Sequence, residues 1–190
     1  MNIYFIRHGM TQGNKERRYI GKTEEALCEE GKRELQGKRY PQVEKVFVSP
    51  RLRCRETAAI LYPHQEPVII DELAECDFGV FEGKNADELQ ESEAYWRWIE
   101  SGGSLPFPEG ESREGFARRC LAGFEKVRRE CQKYQIETAA LVVHGGTIMS
   151  ILTEVGRPKQ EFYDYHVGNG EGYLLTLEEA VSEVGVWRTL

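Results

Sequence analysis

Ile3-Tyr4-Phe5-Ile6-Arg7-His8-Gly9 is the stretch on which the reading turns: four apolar residues run directly into an arginine, a histidine and a glycine. A short unbroken apolar run that stops at such punctuation reads as a strand buried on both faces. Charged groups at the carboxyl edge of a buried strand sit where open α/β sheets hold their ligands. The same design returns late in the chain. Thr138-Ala139-Ala140-Leu141-Val142-Val143 ends at His144-Gly145-Gly146-Thr147, and an apolar helix follows. Two strand-end histidines built alike are hard to explain as two surface accidents.

Between these two strands the chain alternates strand and helix signals. Residues 9–24 read as a Gly-, Asn- and charge-rich loop, and 29–40 as a helix whose acidic start and basic end match the helix dipole, stopped by Pro41. Val43 to Ser49 reads as a second strand, and Ser49-Pro50 as the opening of a helix, with the serine as its cap. That helix carries Arg51, Arg53 and Arg55. Successive odd positions diverge by about 200° around a helix, so the three cannot share one pocket and at least one faces solvent. Pro67 to Ile70 reads as a third short strand.

Glu72 to Gly83 interleaves carboxylates with Leu73, Phe78, Val80 and Phe81, a composition able to hold a carboxyl group against apolar walls and raise its pKa. Residues 85–100 read as an acidic, aromatic-bearing helix and 101–110 as a Gly/Pro-rich link. Together, about 85–111, they form a candidate lid or insertion. Ser112 to about Tyr134 reads as a long amphipathic helix, with Arg118-Arg119 and Arg128-Arg129 on a solvated outer face. The tail alternates at Tyr173 to Leu177 and again at Val184 to Arg188, as closing strands do. The prediction is one α/β domain over residues 1–190.

Composition limits the partners. A net charge of −7 argues against nucleic acid and anionic membranes, so an anionic substrate would need arginines gathered in one pocket. No run reaches membrane-spanning length and no leader pattern opens the chain. Five scattered cysteines without a Cys-x-x-Cys pair fit reduced thiols, and four histidines lack metal-ligand spacing. A cytoplasmic protein with no metal and no cofactor is expected. Gly21-Lys22-Thr23 resembles the end of a phosphate-binding loop, yet Glu16 stands where that motif needs glycine.

Residues 7–8, 49–57, 75–83 and 144–147 are the strand-end elements an α/β domain could converge. They offer two histidines, arginines that can fork onto phosphate oxygens, a shielded carboxylate and Gly-flanked amides. Histidine can act as an unprotonated nucleophile, and phosphoryl transfer needs mainly positioning and charge neutralisation.

At these positions the chain resembles the histidine phosphatase superfamily, also called phosphoglycerate mutase-like. Arg7-His8-Gly9-Met10-Thr11-Gln12-Gly13-Asn14 matches its Arg-His-Gly-x-Thr-x-x-Asn. Ser49 to Thr57 matches Ser-Pro-x-x-Arg-x-x-x-Thr, Glu75 to Gly83 matches Glu-x-x-Phe-Gly-x-Phe-Glu-Gly, and His144-Gly145-Gly146 matches the later His-Gly-Gly. The resemblance covers nearly the whole chain in order. It implies a three-layer α/β sandwich with a mostly parallel central sheet flanked by helices. It implies His8 as the nucleophile, Arg7, Arg53 and His144 as the phosphate clamp, and Glu75 as the acid and later base. Asn14, Glu82, Gly145 and Thr147 are further candidates for substrate contact. Glu24-Glu25-Ala26-Leu27-Cys28 departs from the family's Asp-x-Pro-Leu-Thr/Ser, and Cys28 takes the place of a capping hydroxyl. The compact length resembles the phosphatase branch, which includes α-ribazole phosphatase. The expected activity is metal-independent hydrolysis of a small phosphomonoester, possible substrates including α-ribazole 5′-phosphate. The alternatives are a cofactor-dependent phosphoglycerate mutase and a non-catalytic phospholigand-binding module.

Overall fold

The computed structural model describes residues 1–177 and the backbone of 182–187. The chain runs β1 (Asn2–Arg7), α1 (Gln12–Lys15), α2 (Glu29–Gln36), β2 (Lys45–Val48), α3 (Leu52–Leu61), β3 (Val68–Ile69), α4 (Glu93–Glu100), α5 (Arg113–Tyr134), β4 (Thr138–Val143), α6 (Gly145–Val155), β5 (Gly172–Leu177) and β6 (Ser182–Trp187). Short 3-10 turns occupy Asp71–Leu73, Gly79–Phe81 and Phe162–Tyr165. The strands form one six-stranded sheet in the order β3-β2-β4-β1-β5-β6. The pairs β3–β2, β2–β4 and β4–β1 are parallel, whereas β5 and β6 join antiparallel. Arg188, the end of the second alternating run, lies outside the described residues.

Strand pleating distributes the core to both faces. Ile3 and Phe5 of β1, with Ala139, Leu141 and Val143 of β4, pack against Phe116, Phe124, Ile148 and Ile151 of α5 and α6. Ile6, Ala140 and Val142 point the other way, onto Cys54, Ala58 and Tyr62 of α3 and its end. Because both faces of β1 and β4 are covered, these strands are apolar throughout rather than alternating. The result is a three-layer α/β sandwich. A third cluster, Phe81, Leu89 and Tyr95, lies under α4.

Several boundaries differ from expectation. Helix α2 stops at Gln36, capped by Gly37, before Pro41. It starts where expected, with the Cys28 thiol accepting from the Gly31 amide at 3.4 Å in place of a hydroxyl. The helix expected over 85–100 is reduced to α4, preceded by turns and capped by Ser92. Helix α3 is not capped by Ser49. Arg51 is the cap position, and the carboxylate of Glu24 accepts from the Leu52 amide at 2.9 Å and pairs with Arg51. Arg119 is not on a solvated face either. It is sandwiched between Glu111 and the backbone of residues 72–75. Arg128 and Arg129 do pair at the surface, both with Glu125.

Candidate active site

The register of β1 on β4 sets the centre of the site. Arg7 pairs with Val143, and the next amide, His8 N–H, donates to the Val143 carbonyl at 2.9 Å. His8 and His144 therefore leave adjacent parallel strands together. Their ring centroids are 5.2 Å apart at an interplanar angle of 66°. Both are buried, at 4% and 0% exposure.

His8 Nδ1–H donates to the Gly9 carbonyl at 2.7 Å. A carbonyl can only accept, so the neutral ring keeps its lone pair on Nε2. Burial, with the charges of Arg53 and Arg7, holds the His8 pKa well below 6.5. The ring is thus unprotonated at neutral pH. His144 is lowered likewise, by burial and then by Arg53. Its Nε2 shares a 2.7 Å hydrogen bond with the Ser49 hydroxyl.

Arg7 donates through Nη1 to the Val167 carbonyl at 2.6 Å, which aims the guanidinium. Its Nε is buried without a protein partner, a donor awaiting an anionic oxygen. Burial lowers its pKa, but an arginine remains charged. Arg53, 1% exposed, comes from the face of α3 turned inward, while Arg55 is exposed. Its Nη1 donates to the Thr23 carbonyl and its Nη2 to those of Ile20 and Gly21, at 2.9–3.1 Å. Of the three, only the middle arginine is buried, against the loop of residues 20–23, and neither it nor His144 is on the wall of the cavity lined by Arg7 and His8.

Glu75 is held by two amides. Cys76 N–H donates to Oε1 at 2.9 Å and Gly146 N–H, in the first turn of α6, donates to Oε2 at 3.2 Å. Desolvation nevertheless raises the Glu75 pKa, outweighing these amides and the nearby Arg53 and Arg7. A carboxyl group so poised can carry a proton nearer neutrality than an exposed glutamate. Behind it, Arg119 donates to the carbonyls of Glu72, Ala74 and Glu75 while Glu111 grips its fork.

Arg7, His8, Asn14, Glu75, Gly145 and Gly146 line one cavity of about 160 Å3, with Arg18, Tyr19 and His166 also on its wall. The amino end of α6 opens beside it, adding a positive dipole end. The arrangement is an anion pocket with an unprotonated imidazole and a carboxyl group whose pKa is raised by burial. Among the described residues, no three His, Cys, Asp or Glu side chains are grouped to hold a metal ion.

The family model for the histidine phosphatase superfamily (branch 1) matches residues 3–189. The chain belongs to this superfamily. A relative, "Probable phosphoglycerate mutase GpmB" of Escherichia coli O1:K1, is 32% identical over 136 residues, 67% of this chain and 63% of that protein. The chain thus spans under two thirds of that relative's length. A Klebsiella pneumoniae protein with the same name is 29% identical over 83% of this chain and 76% of its own. The α-ribazole phosphatase of Shigella flexneri superimposes with a TM-score of 0.83 at 23% identity, covering 98% of this chain and 95% of its own. The phosphoglycerate mutase of Bacillus anthracis gives 0.81 at 20% identity, covering 98% and 92%. At these identities the two structures speak to the fold.

Two histidine phosphatase positions expected to touch substrate stand elsewhere. Glu82 does not line the anion cavity. Its Oε1 accepts from the amides of Gly21 and Thr23 and from the Thr23 hydroxyl, at 2.8–2.9 Å. The loop that resembled a phosphate-binding motif thus cradles a carboxylate of its own chain. Its carbonyls in turn receive Arg53, so Glu82 acts on the site through that loop. Thr147 faces away, its buried hydroxyl donating to the Leu73 carbonyl at 3.4 Å. Asp77 is also engaged elsewhere, with Gly79 N–H and Lys22.

Three wall residues, Arg18, Tyr19 and His166, had no signal in the sequence, and neither did Asn169 behind the wall. Asn169 Nδ2 donates to the His8 carbonyl at 3.0 Å and to Asn14 Oδ1 at 3.1 Å. It ties the loop before β5 to the end of β1. Arg18 is already paired with Glu16 and Glu88.

Proposed function

We propose that this histidine phosphatase is a metal-independent phosphomonoesterase acting on a small phosphorylated metabolite. The observation that carries the reading is the His8 Nδ1–H bond to the Gly9 carbonyl, which leaves the Nε2 lone pair as the ring's nucleophile beside Arg7. Nε2 attacks phosphorus and the P–O bond to the leaving alcohol breaks. Glu75 delivers its proton to the departing oxygen. The resulting carboxylate takes a proton from water, whose oxygen displaces Nε2 from phosphorus and releases inorganic phosphate. Arg7, Arg53, His144, Asn14 and the start of α6 offset charge on the non-bridging oxygens.

The fold shared with the Shigella α-ribazole phosphatase makes α-ribazole 5′-phosphate the first physiological substrate to try. The name carried by the E. coli relative favours a second reading, phosphoglycerate mutase. Hydrolysis of p-nitrophenyl phosphate in excess EDTA tests the first. The expected result is steady phosphate release that the chelator leaves unchanged. Interconversion of 3- and 2-phosphoglycerate with little phosphate release would favour the mutase. Phosphate binding with no turnover of either kind would favour a binding module.

A further inference from the structure

Asn169 lies in the loop before β5, outside every motif that marked the site, yet its side chain reaches the heart of it. Nδ2 donates to the His8 carbonyl at 3.0 Å, to the Gly9 carbonyl at 3.4 Å and to Asn14 Oδ1 at 3.1 Å. Main-chain carbonyls only accept, so the nitrogen edge of the Asn169 amide, and not its oxygen, must face this group. The adjacent Gly170 amide bonds to the carbonyls of Arg7 and His8 at 3.0 and 3.3 Å, which fixes the loop against the end of β1.

Asn14 is oriented by this contact. Its Oδ1 also accepts from the Thr11 amide at 3.2 Å, inside the capping box of α1. A flipped side chain would set its own NH2 against the Thr11 and Asn169 donors. Asn14 lines the anion cavity, and among the described residues nothing accepts from its Nδ2. The atom left to meet an anion is a donor. An unrestrained amide would offer the anion its oxygen as readily as its nitrogen, and an oxygen there repels it. Fixing the orientation before binding removes that cost.

We infer that Asn169 is a positioning residue for the phosphate, holding Asn14 Oδ1 back so that Asn14 Nδ2 donates to a non-bridging oxygen. The inference rests on the phosphatase reading for the identity of the anion, and adds to it a residue that acts only through another.

The test is a double-mutant cycle on the binding of inorganic phosphate, read by isothermal titration. Asn14→Ala is expected to raise the Kd by about 10-fold, the share of one hydrogen bond to a charged acceptor. Asn169→Ala alone is expected to raise it by about threefold to fivefold. In the Asn14→Ala background the same change is expected to do almost nothing, because the group it orients is gone. A merely structural Asn169 would cost as much in both backgrounds, through His8 and Gly9, and that additivity overturns the inference. So does an unchanged Kd in Asn169→Ala. A partly unfolded variant shows itself as a lower number of sites per chain. Protein carrying isotopically labelled asparagine supplies a spectroscopic reading. Phosphate is expected to shift the side-chain NH2 signal that Asn14→Ala removes, and a signal that stays in place while phosphate binds rejects the contact. Hydrolysis of p-nitrophenyl phosphate separates this inference from the phosphatase reading. A coupled cycle in a protein without turnover supports Asn169 in its role and removes the phosphatase. Turnover with an additive cycle does the reverse.

Discussion

The amide of Gly146 donates to Glu75 Oε2 at 3.2 Å, and no side chain fits between them. A β-carbon at Gly146 would collide with Glu75 Oε1 and press on the Phe116 ring. Gly146→Ala is therefore expected to displace the carboxyl group while α6 itself gains helix propensity. Turnover of an alkyl phosphate should fall by about 10- to 100-fold with thermal stability changed little. Steady-state kinetics beside a melting curve checks both halves, and full activity would mean that Glu75 is not held where the reaction needs it.

Removing the proton without moving the atoms is the complementary test. Glu75→Gln should slow alkyl phosphates by about 10²–10⁴-fold and p-nitrophenyl phosphate much less, because a good leaving group departs without protonation. The slope of log kcat/KM against leaving-group pKa should steepen. An unchanged slope would shift the acid role to another carboxylate, with Asp77 and Glu82 next in line despite their present partners.

His8→Ala should abolish a phosphoenzyme that is trapped by rapid quench in alkali, where phosphohistidine survives. Retention of the label in this variant would place the covalent bond elsewhere.

The two buried imidazoles also make stability depend on pH. Their folded-state pKa values lie well below 6.5, whereas the unfolded chain titrates near 6.5. Below that value the unfolded state binds more protons, so the contribution is present above it and is lost as pH falls. Each histidine gives up to about 1.4 kcal/mol per pH unit between about pH 5.5 and 6.5. Urea unfolding across that window should show the decline. His144→Gln should flatten it by about one histidine's share.

Arg119 supports the segment that carries Glu75 from behind. Arg119→Gln would leave three carbonyls and Glu111 short of their donor, at a cost of about 2–3 kcal/mol by urea unfolding. Arg119→Lys, unable to reproduce the fork, should recover only part. A kcat deficit larger for alkyl phosphates than for p-nitrophenyl phosphate would trace the loss to Glu75.

The parts legible in the sequence were those fixed by local pattern. Ile3–Ile6 and Ala139–Val143 announced buried strands because nothing polar interrupts them, and helix rotation predicted that Arg51, Arg53 and Arg55 would separate. What could not be read depends on contacts between distant residues. Ser49 looks like a helix cap, yet its hydroxyl serves His144, 95 residues away, and Glu24 takes over the helix end. Arg119 resembles its solvated neighbour Arg118 until Glu111 and the carbonyls of residues 72–75 are brought against it. Glu82 sits in a recognisable motif, but only the folded loop reveals that its partners are amides of its own chain. His166 and Asn169 lie in a stretch without periodicity, and no pattern marks them.

The pairing of β1 with β4 has an implication for how such a protein can diversify. The spacing of the His8 and His144 rings is inherited from the separation of adjacent strands, about 4.8 Å, a property of main-chain hydrogen bonding that side-chain replacement hardly alters. The walls that would choose among alcohols hang instead on connections outside the sheet. Selection can rewrite those connections while the pairing of the two histidines stays intact.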